Sequence, residues 1–212
     1  MVKAKKIADS VKAQIKRIGE AKNDLLVAKY VDKVELGKQG YKERYYSNKF
    51  FVHSPQEQEQ FQTRIRQSYI EGLQWVLSYY YHGCESWDWY YPFHYAPFAA
   101  DLIKCDKVNV KFSMGKPLLP FQQLMSVFPK QSSHAVPQCY RHLMSEPSSE
   151  IIDFYPIDFR LDVNGAAYAW MGVNLLPFIN KERLLHAMNQ ADGNQTKLTE
   201  AERERNKASG DI

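Results

Sequence analysis

A short aromatic-rich stretch, residues 69–98, is the feature of this sequence that most constrains the fold. Twelve of its thirty residues are aromatic. They are Tyr69, Trp75, Tyr79, Tyr80, Tyr81, Trp87, Trp89, Tyr90, Tyr91, Phe93, Tyr95 and Phe98. Rings bury large areas, and a buried Tyr hydroxyl or Trp N–H still needs a hydrogen-bond partner. The stretch therefore predicts a core hub or a large contact face around which the rest of the chain packs.

The charge of the chain is mild but unevenly distributed. Residues 1–50 carry 13 Lys and Arg against 6 Asp and Glu, whereas the remaining residues carry 15 against 18. A basic N-terminal quarter is compatible with a nearby polyanion and also with a solvated, partly disordered arm. The 212 residues are enough for one substantial domain or two small ones.

Cysteine usage and hydropathy indicate where such a chain resides. The three cysteines are widely spaced and form no CxxC pair, which argues against a zinc site or a disulfide framework and favours a reducing compartment. No apolar run approaches the roughly 20 residues needed to span a bilayer. The Lys-rich N-terminus has no signal-peptide core. We therefore expect a soluble intracellular protein with no membrane partner.

Helical periodicity dominates the chain. A capping box formed by Ser54 and Glu57 predicts a helix of about 27 residues that ends at Gly83. Its apolar residues recur at three- and four-residue steps, namely Phe61, Ile65, Tyr69, Leu73, Val76, Leu77 and Tyr80. Further helices are predicted over residues 5–18, 121–128 and 137–144 and after the caps Asn180 and Thr199.

The remaining segments are predicted to be irregular. Residues 29–50 are expected to form a loop-rich connector, and the Asn-Gly pair at 164–165 predicts a hairpin turn. For residues 151–156 the pattern leaves extended chain and turn open. The predicted fold class is mainly α: an irregular helical domain with a small hairpin and long aromatic-rich loops. We expect a basic arm over 1–40, a helical domain over 41–190 and a charged tail over 191–212.

Catalytic motifs are absent from the sequence. No G-x-S-x-G, GxxxxGK[ST], HExxH or GxGxxG occurs. Asp153, Asp158 and Asp162 are loose candidates for a metal site, but turn carboxylates that accept backbone N–H groups are the simpler interpretation. His94 is a candidate base or, more simply, a hydrogen-bonded core residue. We therefore assign no catalytic residue and no metal ligand within this chain.

Four long segments resemble the second conserved region of the Xrn-type 5′→3′ exoribonucleases. They are GLQWVLSYYYHGCESWDWYYPFHYAPFAADL, KPLLPFQQLMSVFP, YRHLMSEPSSEIIDFYP and NGAAYAWMGVNLLPFINKERLL, and the resemblance runs from about Tyr41 to Met188. The flanks GYKERYYSNKF and LTEAERERNKASGDI are similar to the nuclear, Rat-type branch. The resemblance implies nuclear localisation, with a cytoplasmic one as the alternative.

The resemblance implies processive removal of nucleotides from single-stranded RNA that carries a 5′-monophosphate. The carboxylates that hold Mg²⁺ belong to the first conserved region, whose acidic motifs have no counterpart here. We therefore expect this segment to buttress a catalytic half, supplied in cis or in trans, to line the RNA channel, and to be inactive alone. A catalytically dead RNA- or protein-binding module is the alternative.

The resemblance also implies roles for particular aromatic residues. Trp170, in the YAW motif, corresponds to a tryptophan that stacks on an RNA base; from the residues alone, a core anchor is the alternative. Stacking suits a nuclease with little sequence preference, because every base offers a π-face. A structural hub between the two conserved regions is expected from Trp87, Trp89, Tyr91, His94 and Tyr95. If so, a large apolar face around residues 86–98 should be exposed in this chain.

Overall fold

The computed structural model describes residues 10–14, 16–21, 27–103 and 108–208. Residues 10–14 and 16–21 are helical. The further helices are α1 Tyr41–Phe50, α2 Pro55–His82, α3 Pro120–Val127, α4 Gln138–Ser145, α5 Lys181–Asp192 and α6 Glu200–Arg205. Short 3₁₀ helices span Ala99–Asp101, Lys130–Ala135, Ile152–Phe154 and Ala169–Met171. Strands β1 Leu161–Asp162 and β2 Val173–Asn174 pair antiparallel, with Asp162 opposite Val173. The chain is mainly α, as predicted.

The chain divides into two compact units, each assembled from three separate segments. Unit 1 comprises Met1–Gln67, Phe93–Ile103 and Arg160–Leu175, and unit 2 comprises Ser68–Pro92, Lys104–Phe159 and Leu176–Ile212. Helix α2 contributes its first part to unit 1 and the rest to unit 2. The expected arm, domain and tail stay a prediction.

Aromatic rings surround α1 in unit 1. Tyr46 is fully buried and donates to Asp101 at 2.7 Å, and Lys42 pairs with the other oxygen of that carboxylate. The Phe98 ring packs on Tyr45 with a centroid distance of 4.5 Å. The Arg44 guanidinium donates to backbone carbonyls in the preceding loop, which it holds against the helix.

Unit 2 has the larger aliphatic core. It is built from α3, α4, α5 and the chain between them, and its buried residues are Phe121, Met125, Val136, Tyr140, Leu143, Met144, Ile151, Phe154, Tyr155, Leu184, Ala187, Met188, Ala191 and Leu198. Buried hydroxyls are satisfied, since Tyr140 donates to Asp192 at 2.5 Å and Tyr155 donates to the Met125 carbonyl at 2.8 Å. The charged segment around α6 docks through the Asn206 side chain, which accepts from Phe121 N–H at 3.0 Å.

The predicted helix caps are confirmed. Ser54 and Glu57 exchange side chain and backbone hydrogen bonds, and α2 ends immediately before Gly83, whose φ is +96°. Asn180 caps α5, accepting from Arg183 N–H at 2.8 Å. Thr199 and Glu202 form the second capping box. The undecided residues 151–156 contain a 3₁₀ helix over Ile152–Phe154. For the helix predicted over 5–18, residues 10–14 and 16–18 are helical, and the others lie outside the described residues.

One expectation about local structure was wrong. Residues 41–50, predicted as part of a loop-rich connector, form helix α1. The residues of this helix show no clear apolar period. The helix is stabilised instead by rings and polar groups that are distant in the sequence. The Asn-Gly turn exists, with Ala166 N–H donating to Val163 at 2.9 Å, but the strand that pairs with β1 begins only at Val173. The predicted small hairpin is therefore present, and residues 163–172 form its long loop, which we call the 163–172 loop.

Candidate functional site

The 163–172 loop of unit 1 presents an exposed pair of aromatic rings. Trp170 lies on a 3₁₀ turn and is 76% exposed, and Tyr168 is 52% exposed. Their rings stack with a centroid distance of 5.9 Å and an interplanar angle of 14°. Trp170 therefore lies outside the buried core of unit 1. Because Tyr168 covers one face of the indole, the other face is left for a further ring.

A buried ion pair fixes the beginning of this loop. The Lys49 ammonium lies 2.5 Å from the Asp162 carboxylate, and their side chains are only 4% and 8% exposed. Tyr95 donates to the same oxygen at 2.5 Å. The other oxygen accepts from Asn164 N–H at 2.9 Å, in the Asn-Gly turn. Asp162 therefore connects α1, the chain at Tyr95 and the turn that leads to Trp170.

The electrostatics of this network keep Asp162 ionised. Burial alone would raise the pKa of Asp162, but hydrogen bonds from Lys49 and Tyr95 outweigh it and hold the pKa below its ordinary 3.8. Burial, and then the hydrogen bond to Asp162, raise the pKa of Tyr95 well above its usual range. At neutral pH the network is thus a carboxylate held between an ammonium and a neutral phenol.

Close backbone packing fixes the end of the loop. A Cβ on Gly172 would lie 2.9 Å from the Asp162 carbonyl oxygen and 3.0 Å from that of Ala169. Only glycine therefore fits at this position without moving the backbone. The Asn-Gly turn, with φ of +53° and +75°, has the left-handed geometry that these two residues favour. Both ends of the segment that carries Trp170 are thus held in place.

The predicted hub residues do not all lie in the same unit. Trp87, Trp89 and Tyr91 belong to unit 2, whereas the half-buried His94 and the buried Tyr95 belong to unit 1. Within unit 2 the Trp89 ring covers Gly72 of α2 and stacks on Trp75 with a centroid distance of 6.2 Å. Their role as a hub between two conserved regions stays a prediction.

The exposed apolar face lies mainly elsewhere than expected. Trp87 and Tyr90 are exposed, but Trp89, Tyr91 and Tyr95 are half-buried or buried. A further group of exposed apolar residues, which we call the α2 apolar face, lies on the second half of α2. It consists of Leu73, Val76, Leu77, Tyr79, Tyr80 and Tyr81. The apolar period of this helix, read from the sequence, therefore marks a buried surface only in its first half, at residues such as Ile65.

The acidic candidates for a metal site are engaged in other contacts. Asp162 is paired with Lys49, whereas Asp153 accepts two hydrogen bonds from Arg183 at 2.9 and 3.0 Å. The Asp158 side chain accepts from Phe159 N–H at 2.9 Å. Within the described ranges, no three His, Cys, Asp or Glu side chains come close enough together to hold a metal ion. These residues therefore do not form a donor set for Mg²⁺.

Sequence reasoning singled out Trp170, whose role stays a prediction, but missed the residues that position it. The pairing of Lys49 with Asp162 joins positions 113 residues apart, and no short motif marks it. Tyr168 was also missed, although an aromatic residue two positions before Trp170 in an irregular segment is a visible signal. Across the residues that the structure describes, no helix has the length and apolarity needed to cross a membrane.

The mainly helical fold and the exposed stacked rings on an anchored loop define an α-helical domain with an aromatic contact surface. All of the chain, residues 1–212, matches the family model described as the Xrn1 helical domain, and the chain belongs to that family. This confirms the family resemblance seen in the sequence.

Similar proteins carry the name 5′-3′ exoribonuclease 2. The protein of Arabidopsis thaliana is 49% identical over 181 residues, which is 85% of this chain and 18% of the relative. That of Saccharomyces cerevisiae is 51% identical over 173 residues, covering 82% of this chain and 17% of the relative. The Gallus gallus protein is 49% identical over 182 residues, covering 85% and 19%. The chain thus spans less than a fifth of the length of these relatives.

Proposed function

We propose that this chain is the helical segment of a 5′→3′ exoribonuclease that degrades single-stranded RNA with a 5′-monophosphate. Membership of the Xrn1 helical domain family and about 50% identity to proteins named 5′-3′ exoribonuclease 2 support this role. The segment buttresses the catalytic half and lines the RNA path. Magnesium for hydrolysis is held by residues outside the described part of this segment.

The observation that carries the proposal is the anchored, exposed pair of Trp170 and Tyr168. An indole whose free face is open to solvent suits a base of a single strand, because stacking works with any base. The buried network around Asp162 keeps this platform in place. The free energy of RNA binding is therefore not reduced by the cost of ordering this loop.

Activity in a mixture tests the role of the segment. The purified chain is incubated with 5′-monophosphorylated single-stranded RNA and Mg²⁺, alone and with a separately expressed first conserved region. A chimera in which this chain replaces the matching segment of the yeast relative provides the covalent version. Degradation by the mixture or the chimera, but not by the chain alone, is expected. Degradation by the chain alone, or an inactive but folded chimera, contradicts the proposal.

Substitution of Trp170 tests the stacking role. In the active chimera, Trp170→Ala should weaken RNA binding by about 5- to 150-fold, since stacking contributes roughly 1–3 kcal/mol per base. Trp170→Phe should retain much of the affinity. Because the ring is exposed, neither change should alter the melting temperature appreciably. Phe51→Ala removes another exposed ring of unit 1 and is the matched control. Equal losses from Trp170→Ala and Phe51→Ala would contradict stacking.

We also propose a nuclear location, on the similarity of the two flanks to the Rat-type branch. A fluorescent fusion of the full-length protein tests it. Signal confined to the cytoplasm would contradict it.

A further inference from the structure

A cationic pocket opens in unit 1 beside strand β1. Its volume is about 310 Å³, at the lower end of the range for ligand pockets. Three segments contribute polar side chains to its wall. The charged and amide side chains in the wall are those of Lys29, Lys33, Asn48, Lys49, Arg160 and Asp162.

Three of the four cations around the pocket are uncompensated. Lys49 is neutralised by Asp162 at 2.5 Å. Lys29, Lys33 and Arg160 are exposed and make no ion pair with any carboxylate in the described part of the chain. Three like charges around one opening repel each other and create a positive potential that attracts an anion.

The neighbouring acid does not cancel this potential. Asp32, beside Lys33, does not line the pocket; its carboxylate accepts the N–H groups of Val34 and Glu35 at 2.9 and 3.0 Å. Those hydrogen bonds lower its pKa. The pocket therefore keeps a net positive charge at neutral pH even when Asp32 is counted.

The wall of the pocket has a defined backbone. The Arg160 carbonyl accepts from Leu175 N–H at 2.9 Å, and β1 is paired with β2. Tyr30, which also lines the pocket, lies near the Asn-Gly turn, since a Cβ added to Gly165 would be 4.0 Å from the Tyr30 ring. The pocket and the 163–172 loop thus share Val163, and β1, which also lines the pocket, leads directly into the loop.

We propose that this pocket binds a phosphodiester group of the RNA strand whose base stacks on Trp170. The inference rests on the proposed function and adds a second contact to it. Lysine and arginine side chains around an open pocket suit a phosphate backbone, because its negative charge is the same whatever the base sequence. The concentration of basic residues in the first 50 positions supplies two of the three free cations.

The salt dependence of RNA binding tests the pocket. Affinity of the full chain for a labelled single-stranded oligoribonucleotide is measured by fluorescence anisotropy over a series of salt concentrations. Lys33→Ser combined with Arg160→Ser should flatten the slope of log K against log salt by about 1.4, since each phosphate contact on a single strand contributes about 0.7. The matched control is Lys12→Ser with Lys111→Ser, which removes the same charge from exposed positions outside the pocket.

The outcomes separate this inference from the proposed function. Trp170→Ala should lower affinity at every salt concentration and leave the slope unchanged. If the pocket variant and the control variant have equal slopes and equal melting temperatures, the pocket inference is wrong while the stacking result still stands.

Inorganic phosphate is titrated in parallel. Saturation of the pocket by phosphate with no effect on RNA binding would assign the pocket to a free anion and overturn the inference. Absence of RNA binding by the wild-type chain also overturns it, and the chimera alone then decides the proposed function.

Discussion

Asp162 joins distant parts of unit 1 through its two carboxylate oxygens. One oxygen accepts from Lys49 and Tyr95, and the other accepts from the backbone of the Asn-Gly turn. A buried ion pair contributes little net stability compared with an apolar replacement of both partners, but removing one partner leaves a buried charge uncompensated. The geometry of the Trp170 platform therefore depends on a side chain that never reaches the surface.

Replacing Lys49 with methionine should be strongly destabilising at neutral pH. The cost is expected to be about 3–5 kcal/mol, because Asp162 then lies buried without a counter-charge. In the wild type the pKa of Asp162 is lowered, so its stabilising contribution is present above pH 3.8 and is lost as the pH falls below that value. In the variant, burial raises the pKa of Asp162, so stability falls as the pH rises through that pKa. The difference between the two proteins should narrow towards pH 4.

Urea denaturation at pH 4, 5 and 7 measures this difference. Lys38→Met breaks the exposed pair with Glu35 and serves as the control, with a small effect at every pH. A Lys49→Met cost that does not change with pH would show that lost packing, rather than the charge of Asp162, determines the effect.

At the scale of elements, the sequence predicts those helices whose stabilising contacts are local. Capping boxes act over three residues, and so Ser54–Glu57 and Thr199–Glu202 could be recognised without a structure. Helix α1 could not, because Tyr46 and Lys42 depend on Asp101, more than 50 residues away. The Asn-Gly turn was recognisable for the same local reason. The pairing register of β1 and β2 was not, since packing at Gly172 and Asp162 sets it.

Two helical glycines should respond oppositely to the same substitution. In α2, a Cβ on Gly72 would lie 2.8 Å from the Trp89 ring, so Gly72→Ala should displace the indole. Overpacking destabilises a fold by about 1–3 kcal/mol, whereas the higher helix propensity of alanine stabilises it by about 1 kcal/mol. The free energy of unfolding is therefore expected to fall by up to about 2 kcal/mol. At Gly19, by contrast, a Cβ would meet no other atom within 4 Å, so Gly19→Ala should increase helicity.

Tryptophan fluorescence and circular dichroism during urea unfolding measure both effects. Gly72→Ala should change the fluorescence of the native state and lower the unfolding midpoint. An unchanged midpoint together with native fluorescence would contradict the close approach of Trp89 to α2.

At the scale of the whole molecule, the α2 apolar face departs from an ordinary soluble surface. Between Ser68 and His82 the only Asp, Glu, Lys or Arg is Glu71, and its carboxylate accepts from the Trp89 N–H at 3.5 Å. Tyr80 is 80% exposed and Leu77 is also exposed. Contiguous apolar surface of this kind drives association.

The isolated chain should therefore self-associate at micromolar concentrations. Leu77→Glu combined with Tyr80→Glu should shift it towards the monomer in sedimentation velocity, because two charges on the face oppose its burial. The control is Phe51→Glu combined with Ile157→Glu, two exposed apolar residues outside α2. Equal shifts for both double variants would mean that net charge, rather than the α2 apolar face, governs the association.

The assembly of each unit from separate segments has a consequence for biosynthesis. Lys49 leaves the ribosome 113 residues before Asp162. At typical elongation rates of about 5–20 residues per second, this interval is roughly 6 to 23 seconds. Phe98 and Asp101, which pack on the tyrosines of α1, are made within about the first half of this interval, whereas Lys49 lacks its counter-charge throughout. Until these partners are made, the nascent chain displays the kind of aromatic surface that chaperones bind. Unit 1 can close only once Leu175 has been translated.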